Sequence, residues 1–388
     1  MRIGLLTYFW EDDPGQFFQA LATYQELQKQ FSNATVELVD VRHWGECWRL
    51  GKRSLLAPRQ AWEKYRQHQA YEQSRSLFQI SQESCYTADR SVAAQFLQRQ
   101  NYDVLVIGSD VTLKPLPCYM DKDQLPIYWL PPEIPGIHVM LASSADTLRS
   151  EQLTVRQMQQ AQAALQNFSF ITVRDSMTYD LINFLSDTKK KHFCCVPDST
   201  FAYSLNSIST DAPPLKYLAS TSRPLCAVHL PSTTFTNRLV ELLSLDFDLV
   251  TIRGTRWPQS RRHWDHMPPM LWSTMFANFS CVVTVSLHEC IFSMKNGVPP
   301  FAVDIKPDRV DIQSGRSKTR CLMADMNLLH HHFSPHLGNT PEEIYAGIKK
   351  GVENFDSNAM MRRVELQGLH YQKAVQDLRL YLGAGSCD

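Results

Sequence analysis

The sequence of 388 residues lacks several features that identify a function class. It contains no apolar run of about 18 residues, so we predict no membrane span, and the apolar start Ile3–Leu6 is too short for a signal peptide. It has no excess of one charge, because 39 Lys and Arg residues stand against 39 Asp and Glu residues. Nucleic-acid partners require a basic surface, so none is expected. These absences predict a neutral cytoplasmic protein.

Metal and disulfide signals are also missing. None of the ten cysteines forms a Cys-x-x-Cys pair, which favours free, mostly buried thiols over disulfides or structural zinc. The run His330–His332 is a poor metal site, because consecutive side chains do not point at one ion. The sequence contains no Gly-rich phosphate loop and no Gly-x-Ser-x-Gly motif. We therefore predict no metal site.

Short apolar runs alternate with segments of helical spacing along the whole chain. This alternation predicts an α/β fold of two Rossmann-like parallel-sheet domains that face a cleft. We place the first domain at residues 1–205 and the second at 206–358, because a Ser-, Thr-, Asn- and Pro-rich linker begins near residue 205 and ends near residue 223. The C-terminal helix 359–382 is expected to pack back on the first domain. Residues 53–82 are interpreted as an exposed helical insertion.

Residues that directly follow the predicted strands are the candidate site residues, since parallel sheets bind ligands at the carboxyl ends of their strands. The first domain supplies carboxylates and aromatic rings there, which suit a polyhydroxylated acceptor. The second domain supplies cations and imidazoles, which suit a phosphate or a carboxylate. The first set comprises Tyr8, Trp10, Glu11, Asp12, Asp13, Ser109 and Asp110, and the second comprises His229, Arg253, Arg256 and His288.

Several candidates also have a purely structural interpretation. Asp12 or Asp13 could cap the first helix, where its dipole favours a negative charge. His288 could be a hydrogen-bonded core histidine at the start of a helix. The run Arg261–His263 is more typical of an exposed loop than of a site. The segment Ser314–Arg320 carries three cations, so it could bind a phosphate or simply begin a helix in solvent.

Five blocks along the chain share the order of one known family. They are Ile3–Thr7 with Asp13–Ala22, Tyr102–Asp110, Val173–Ser176, Val196–Phe201, and Val283–Ser293 with Gly297–Pro299. On these blocks the chain resembles the polysaccharide pyruvyl transferase family. The resemblance implies a glycosyltransferase-B-like pair of Rossmann domains, with the saccharide acceptor on the first and the anionic donor on the second. It also implies transfer of the enolpyruvyl carbon of phosphoenolpyruvate onto two glycan hydroxyls, with no metal or redox cofactor.

The resemblance implies roles for individual residues. His288 matches the family's histidine, and an imidazole can act as an acid and a base near neutral pH. Lys318 falls where the family has a lysine. The predicted donor site comprises Arg253, Arg316, Lys318, Ser286 and His229, and the predicted acceptor site comprises Trp10, Asp12, Asp13 and Asp110. The sequence predicts no oligomeric state.

Three positions near the histidine depart from the family pattern. Ser286 stands where many members have arginine, Val285 replaces an aspartate, and Glu289 replaces a glycine. Glu289 would bring a carboxylate near an anionic donor, or it would orient the imidazole beside it and raise its basicity, so it joins His288 as a predicted catalytic residue. The alternatives are a glycosyltransferase-B-type enzyme with a nucleotide-sugar donor and a non-catalytic glycan-binding relative.

Overall fold

The chain divides into two compact units. The first combines Met1–Tyr203 with Gln367–Asp388, and the second is Ser204–Leu366. The second boundary therefore lies eight residues beyond the predicted one, inside the C-terminal helix. The predicted linker lies outside the described residues except at its two ends. The structure, a computed structural model, describes residues 1–42, 58–115, 121, 123–186, 192–205, 223–264, 267–305 and 315–384.

The first unit is built on a parallel sheet. Its described strands lie in the order β3-β2-β1-β4-β5-β6-β7, and each neighbouring pair is parallel. The central strands are buried along nearly their whole length, as in parallel sheets that are covered on both faces. The strands are β1 (Arg2–Leu6), β2 (Thr35–Arg42), β3 (Ile80–Tyr86), β4 (Val104–Ile107), β5 (Ile137–Ser143), β6 (Phe168–Val173) and β7 (His192–Cys195).

Aspartates begin several helices of the first unit. The side chains of Asp13, Asp89 and Asp175 each accept a hydrogen bond from a backbone N–H in the first helical turn. Asp13, rather than Asp12, thus caps the first helix. The helices are α1 (Pro14–Gln30), α2 (Pro58–Arg75), α3 (Arg90–Gln100), α4 (Val155–Asn167) and α5 (Ser176–Leu185), with short 3-10 turns at Ser150–Gln152 and Ser199–Phe201.

The second unit repeats this design. Its described strands are all parallel and lie in the order β10-β9-β8-β11-β12-β13. Two parallel α/β sheets confirm the predicted pair of Rossmann-like domains. The strands are β8 (Leu225–His229), β9 (Asp248–Thr251), β10 (Ser260–His263), β11 (Cys281–Thr284), β12 (Pro300–Val303) and β13 (His332–Phe333).

The helices of the second unit follow its strands, and the last helix serves both units. Residues from Gln367 onwards belong to the first unit, where the hydroxyl of buried Tyr371 lies 3.0 Å from Thr23 Oγ1. No helix in the described ranges is long and apolar enough to cross a bilayer. The helices are α6 (Thr234–Asp246), α7 (Pro269–Met275), α8 (Leu287–Lys295), α9 (Lys318–Asp325), α10 (Pro341–Glu353) and α11 (Ser357–Ala384), with 3-10 turns at Phe276–Asn278, Leu329–His331 and Pro335–Leu337.

The strand order reverses at one point in each sheet. In the first unit the reversal lies between β1 and β4, and in the second it lies between β8 and β11. Loops leave the two strands at such a point in opposite directions, which opens a crevice outside their carboxyl ends where ligands of doubly wound sheets bind. Each unit therefore has one position where a binding site is expected.

Two segments fold differently from the sequence prediction. The predicted helical insertion ends in strand β3, of which only Ser81 and Cys85 are buried. The run Arg261–His263, predicted as a loop, belongs to edge strand β10, whose sequence is Ser-Arg-Arg-His. Both strands lie at the edge of a sheet and carry polar residues, so the apolar run that marks a buried strand is absent from them.

His331, one of the three consecutive histidines, is buried in the second unit. Its ring stacks on Phe301 with centroids 4.4 Å apart, and its Nδ1 lies 3.0 Å from the carbonyl oxygen of Pro300. Burial, with a smaller contribution from His330, lowers the pKa of His331 to about 4. The ring is therefore neutral at physiological pH and serves packing.

We expect this histidine to make stability depend on pH. Between its ordinary pKa of 6.5 and the folded value of about 4, the unfolded chain binds a proton that the folded chain does not. The contribution of the neutral His331 ring to the free energy of unfolding is fully present above pH 6.5. We expect the free energy of unfolding to fall by about 2–3 kcal/mol as the pH drops to 4. Urea denaturation at several pH values should show this slope in the wild type, and a smaller slope in His331→Phe. The exposed His370→Gln is the control, and equal slopes in wild type and His331→Phe would contradict the assignment.

Candidate functional site

Predicted site residues of the second unit lie at the carboxyl edge of its sheet. His229 ends β8, Arg253 follows β9 by two residues, and Ser286 follows β11 by two residues. Strands β8 and β11 are the pair at which the strand order reverses, and His229 pairs there with Thr284 in register. The fold therefore places His229 and Ser286 at the expected binding position, with Arg253 after the neighbouring strand β9.

Glu289 is bonded to the imidazole of His229. Both of its carboxylate oxygens lie 2.9 Å from Nδ1 of His229, and Thr284 Oγ1 donates a further hydrogen bond to it. The Glu289 side chain is 1% exposed, whereas that of His229 is 17% exposed. A carboxylate only accepts hydrogen bonds, so Nδ1 carries the proton and Nε2 is the nitrogen that can meet a ligand.

Glu289 thus has a different partner from the one the sequence predicts. The prediction paired it with the adjacent His288, but consecutive side chains on a helix point about 100° apart. His288, the second residue of α8, is half-buried, and Glu289 turns toward β8 instead. Hydrogen bonds from His229 and Thr284 surround the Glu289 carboxylate, which weakens its repulsion of an anionic substrate.

The loop after β9 lies against the same imidazole. Gly254 has a φ of +86°, and a Cβ atom there would come within 3.1 Å of Cδ2 of His229. Glycine therefore permits both the left-handed backbone and the close approach. Arg253, its neighbour, is exposed. The loop fixes one side of the His229 ring and carries Arg253.

Asp304, which follows β12, is the centre of a buried hydrogen-bond network. It accepts hydrogen bonds from Ser317 Oγ, from Thr319 Oγ1 at 2.7 Å and from His332 Nε2 at 2.7 Å. Burial would raise the pKa of Asp304, but the hydrogen bonds from His332 and Ser317 hold it below its ordinary value. The network fixes the start of α9 beside the carboxyl end of β12.

Arg316 and Lys318, two predicted site residues, flank Ser317, which donates a hydrogen bond to Asp304. Ser317 caps α9, with Arg316 before it and Lys318 as the first helical residue, and both cations are half-buried. The segment therefore begins a helix, as one of the two alternatives states, although its first two cations are half-buried rather than in solvent. A helix N-terminus also favours an anion, so the phosphate contact stays a prediction for Arg316 and Lys318.

In the first unit, Arg174 organises the carboxyl edge of the sheet. Its side chain is 3% exposed, and its guanidinium lies 2.7 Å from Asp198 and 3.7 Å from Asp110. Gln19 Nε2 donates to Asp198 at 2.9 Å and to the carbonyl oxygen of Ser109 at 2.5 Å. Burial would lower the pKa of Arg174, but Asp198 and Asp110 raise it above its ordinary value.

Sequence reasoning did not name Arg174 as a site residue, although Asp110 was predicted to bind the acceptor. A signal was present, because Arg174 directly follows β6. The Asp110 side chain is 8% exposed and ion-paired, so it holds Arg174 in place. Strand β4 reaches this cluster through Gly108, where φ is +120° and a Cβ atom would lie 2.1 Å from the carbonyl oxygen of Leu141. Only glycine fits that position.

The loop after β1 carries the remaining predicted acceptor residues. Asp12 lies 3.3 Å from the buried guanidinium of Arg75 and 3.2 Å from Nδ1 of His68, both on α2. Arg75 also donates to the carbonyl oxygen of Trp10, whose half-buried ring packs against the core. Asp13 caps α1. Helix α2 therefore braces this loop, although the sequence suggested only an exposed insertion.

Comparison with known proteins gives the fold and the family. The chain is similar to UDP-GlcNAc 2-epimerase from Neisseria meningitidis bound to UDP-GlcNAc, with a TM-score of 0.56 and 9% identity over 98% of this chain and 99% of that one. It is similar to a putative UDP-N-acetylglucosamine 2-epimerase from Listeria monocytogenes, with a TM-score of 0.58 and 9% identity over 98% and 96%. It is also similar to Anabaena Alr3699/HepE in complex with UDP and glucose, with a TM-score of 0.55 and 10% identity over 99% and 100%.

These likenesses confirm the glycosyltransferase-B-like fold class, and at such low identity they show the fold alone. No curated protein matches the sequence. The family model of the polysaccharide pyruvyl transferases, in contrast, matches residues 15–307, which is most of both units. The matched range includes the Arg174 cluster, the His229–Glu289 pair and His288. The chain therefore belongs to the polysaccharide pyruvyl transferase family.

Proposed function

We propose that this protein transfers the pyruvate group of phosphoenolpyruvate onto two hydroxyls of a glycan or a glycan precursor, forming a cyclic ketal and releasing phosphate. The observation that carries this proposal is the carboxyl edge of the second sheet. The imidazoles of His229 and His288 belong to the two segments that meet where the strand order reverses, and Arg253 follows the neighbouring strand β9, in a chain of this family. The chemistry needs such a set, because a proton must be moved and a dianionic phosphate must be held.

The reaction can be divided among these residues. Protonation of the enol methylene carbon by His288 would leave a positively charged centre at C2, which the first hydroxyl attacks. Phosphate then leaves with the electron pair of its C–O bond, and the second hydroxyl closes the ketal ring. Overall, the methylene gains one proton, the two hydroxyls lose two, and phosphate leaves as the monohydrogen ion.

Cations would hold the donor during these steps. Arg253, Arg316 and Lys318 are the candidates, since guanidinium and ammonium groups bind phosphate and carboxylate by charge-assisted hydrogen bonds. The Asp304 network supports the last two by fixing the start of α9. In the first unit, the proposed acceptor-binding residues are still Trp10, Asp12, Asp13 and Asp110. Asp12 and Asp110 would contribute by holding the guanidinium groups of Arg75 and Arg174 in place.

The proposal predicts phosphate release that requires both substrates. The purified protein should release phosphate from phosphoenolpyruvate only when a glycoside with two suitably placed hydroxyls is present, and mass spectrometry should find the ketal. A glycoside with one of those hydroxyls methylated is the control. It should form no cyclic ketal, because the second free hydroxyl is missing. Absence of release over a broad glycoside panel, with thermal stabilisation by a nucleotide sugar but not by phosphoenolpyruvate, would instead support a nucleotide-sugar transferase.

A further inference from the structure

We propose that His229 is a second acid/base residue of this reaction and that Glu289 is the positioning residue that holds its reactive nitrogen toward the substrate. The inference rests on the proposed function and deepens it. It reverses the roles that the sequence suggests for the two residues, namely donor binding for His229 and catalysis for Glu289. The geometry that supports it is the paired contact of the Glu289 carboxylate with Nδ1 of His229.

The contact defines the chemistry of the imidazole. With Nδ1–H donating to Glu289, Nε2 has a lone pair and can accept a proton. Glu289 is itself fixed, because Thr284 Oγ1 donates to it and in turn accepts from the N–H of Ser286 at 2.9 Å. A buried carboxylate also stabilises the imidazolium that forms when Nε2 takes up a proton, without accepting that proton itself. His229 is therefore prepared to act as a base and then as an acid.

The position of the ring suits this role better than a packing role. A histidine that only packs is buried in the core, as His331 is where its ring stacks on Phe301. His229 instead ends β8 at the reversal of strand order, and its side chain is 17% exposed. Gly254 restricts the ring from the neighbouring loop. Carboxylate and glycine together orient an imidazole that can still reach a ligand.

The ketal reaction requires several proton transfers, and two imidazoles can share them. His288 gives its proton to the methylene carbon as the C=C electrons form the new C–H bond. His229 takes the proton of the first hydroxyl as its oxygen bonds to C2, and returns it to the bridging oxygen as the C–O bond to phosphate breaks. His288, now neutral, takes the proton of the second hydroxyl as the ring closes. Both residues end in their starting states, and atoms and charges balance.

Kinetics of conservative variants test the proposal. We expect His229→Gln to lower kcat for phosphate release by about 100-fold and Glu289→Gln by about 10-fold, with little change in KM for phosphoenolpyruvate. The exposed His330→Gln and Glu353→Gln are matched controls and should retain wild-type rates. Thermal unfolding and a second variant, His229→Asn, separate loss of fold from loss of chemistry. A raised KM with unchanged kcat would overturn the catalytic role and leave His229 as a binding residue.

A spectroscopic readout is independent of turnover. Nitrogen-15 NMR of the histidines in the wild-type protein should show His229 as the Nδ1–H tautomer at neutral pH, and the Nε2–H tautomer would overturn the orientation by Glu289. A wild type that releases no phosphate from phosphoenolpyruvate overturns the proposed function and the role of His229 with it. An active wild type with an equally active His229→Gln overturns only the second acid/base role.

Discussion

Replacement of His288 by glutamine is expected to lower kcat for phosphate release from phosphoenolpyruvate by about 10²–10⁴-fold, the usual effect of losing a general acid. Glutamine is similar in size and keeps hydrogen-bonding groups, but it cannot deliver a proton near neutral pH. His288 is half-buried near the start of α8, so the substitution should leave the fold intact. Initial rates of phosphate release at saturating phosphoenolpyruvate measure the effect.

The controls for this prediction separate chemistry from binding. His330→Gln, the same substitution at an exposed histidine of the same unit, keeps His288 and should retain the wild-type rate. Far-ultraviolet circular dichroism should match the wild type in both variants. Full activity in His288→Gln would show that another group protonates the methylene carbon, and would return His288 to the structural interpretation of a helix-start histidine.

Replacement of Arg174 by methionine is expected to lower the free energy of unfolding by about 3–5 kcal/mol. Methionine fills a similar volume but leaves the buried carboxylates of Asp198 and Asp110 without their common cation. Two uncompensated charges in the interior cost far more than the lost contacts. Urea denaturation followed by circular dichroism should show a lower transition midpoint.

A surface pair provides the matched control for Arg174. Arg156 lies 3.0 Å from Asp121, and both side chains are exposed, so Arg156→Met should cost no more than about 1 kcal/mol. The double variant Arg174→Met, Asp198→Asn should recover part of the lost stability, because it removes one of the unpaired charges. Equal effects at Arg174 and Arg156 would show that the buried cluster contributes nothing beyond an exposed ion pair.

The central strands and several helix starts could be predicted from the sequence, because their signals are local. Apolar runs such as Val104–Ile107 mark strands that are covered on both faces. The start of helix α5 has a local signal of the same kind, because Asp175 caps it directly before an amphipathic segment. Strands β3 and β10 were missed because edge strands with polar sequences carry no such signal.

The partners of the site residues could not be predicted, because each pair joins distant segments. Asp12 is a candidate because of its carboxylate, but the cation that it pairs with, Arg75, lies 63 residues later on helix α2. Glu289 was assigned to its neighbour in sequence, whereas the helix turns it to His229, 60 residues earlier. The sequence therefore identified candidate residues at the sheet edges, and the fold decided which of them act together.

The shared helix α11 has a consequence for how the protein is made. The first unit includes Gln367 and the residues after it, among them Tyr371, whose hydroxyl contacts Thr23. The other residues of this unit are translated before the second unit. At about 5–20 residues per second, a ribosome takes roughly 10–30 seconds to synthesise the second unit that lies between them. Throughout that interval the nascent first unit has an uncovered patch at Thr23. The second unit is contiguous in sequence and can fold as soon as it emerges, so the unit that is translated first is the last to be completed.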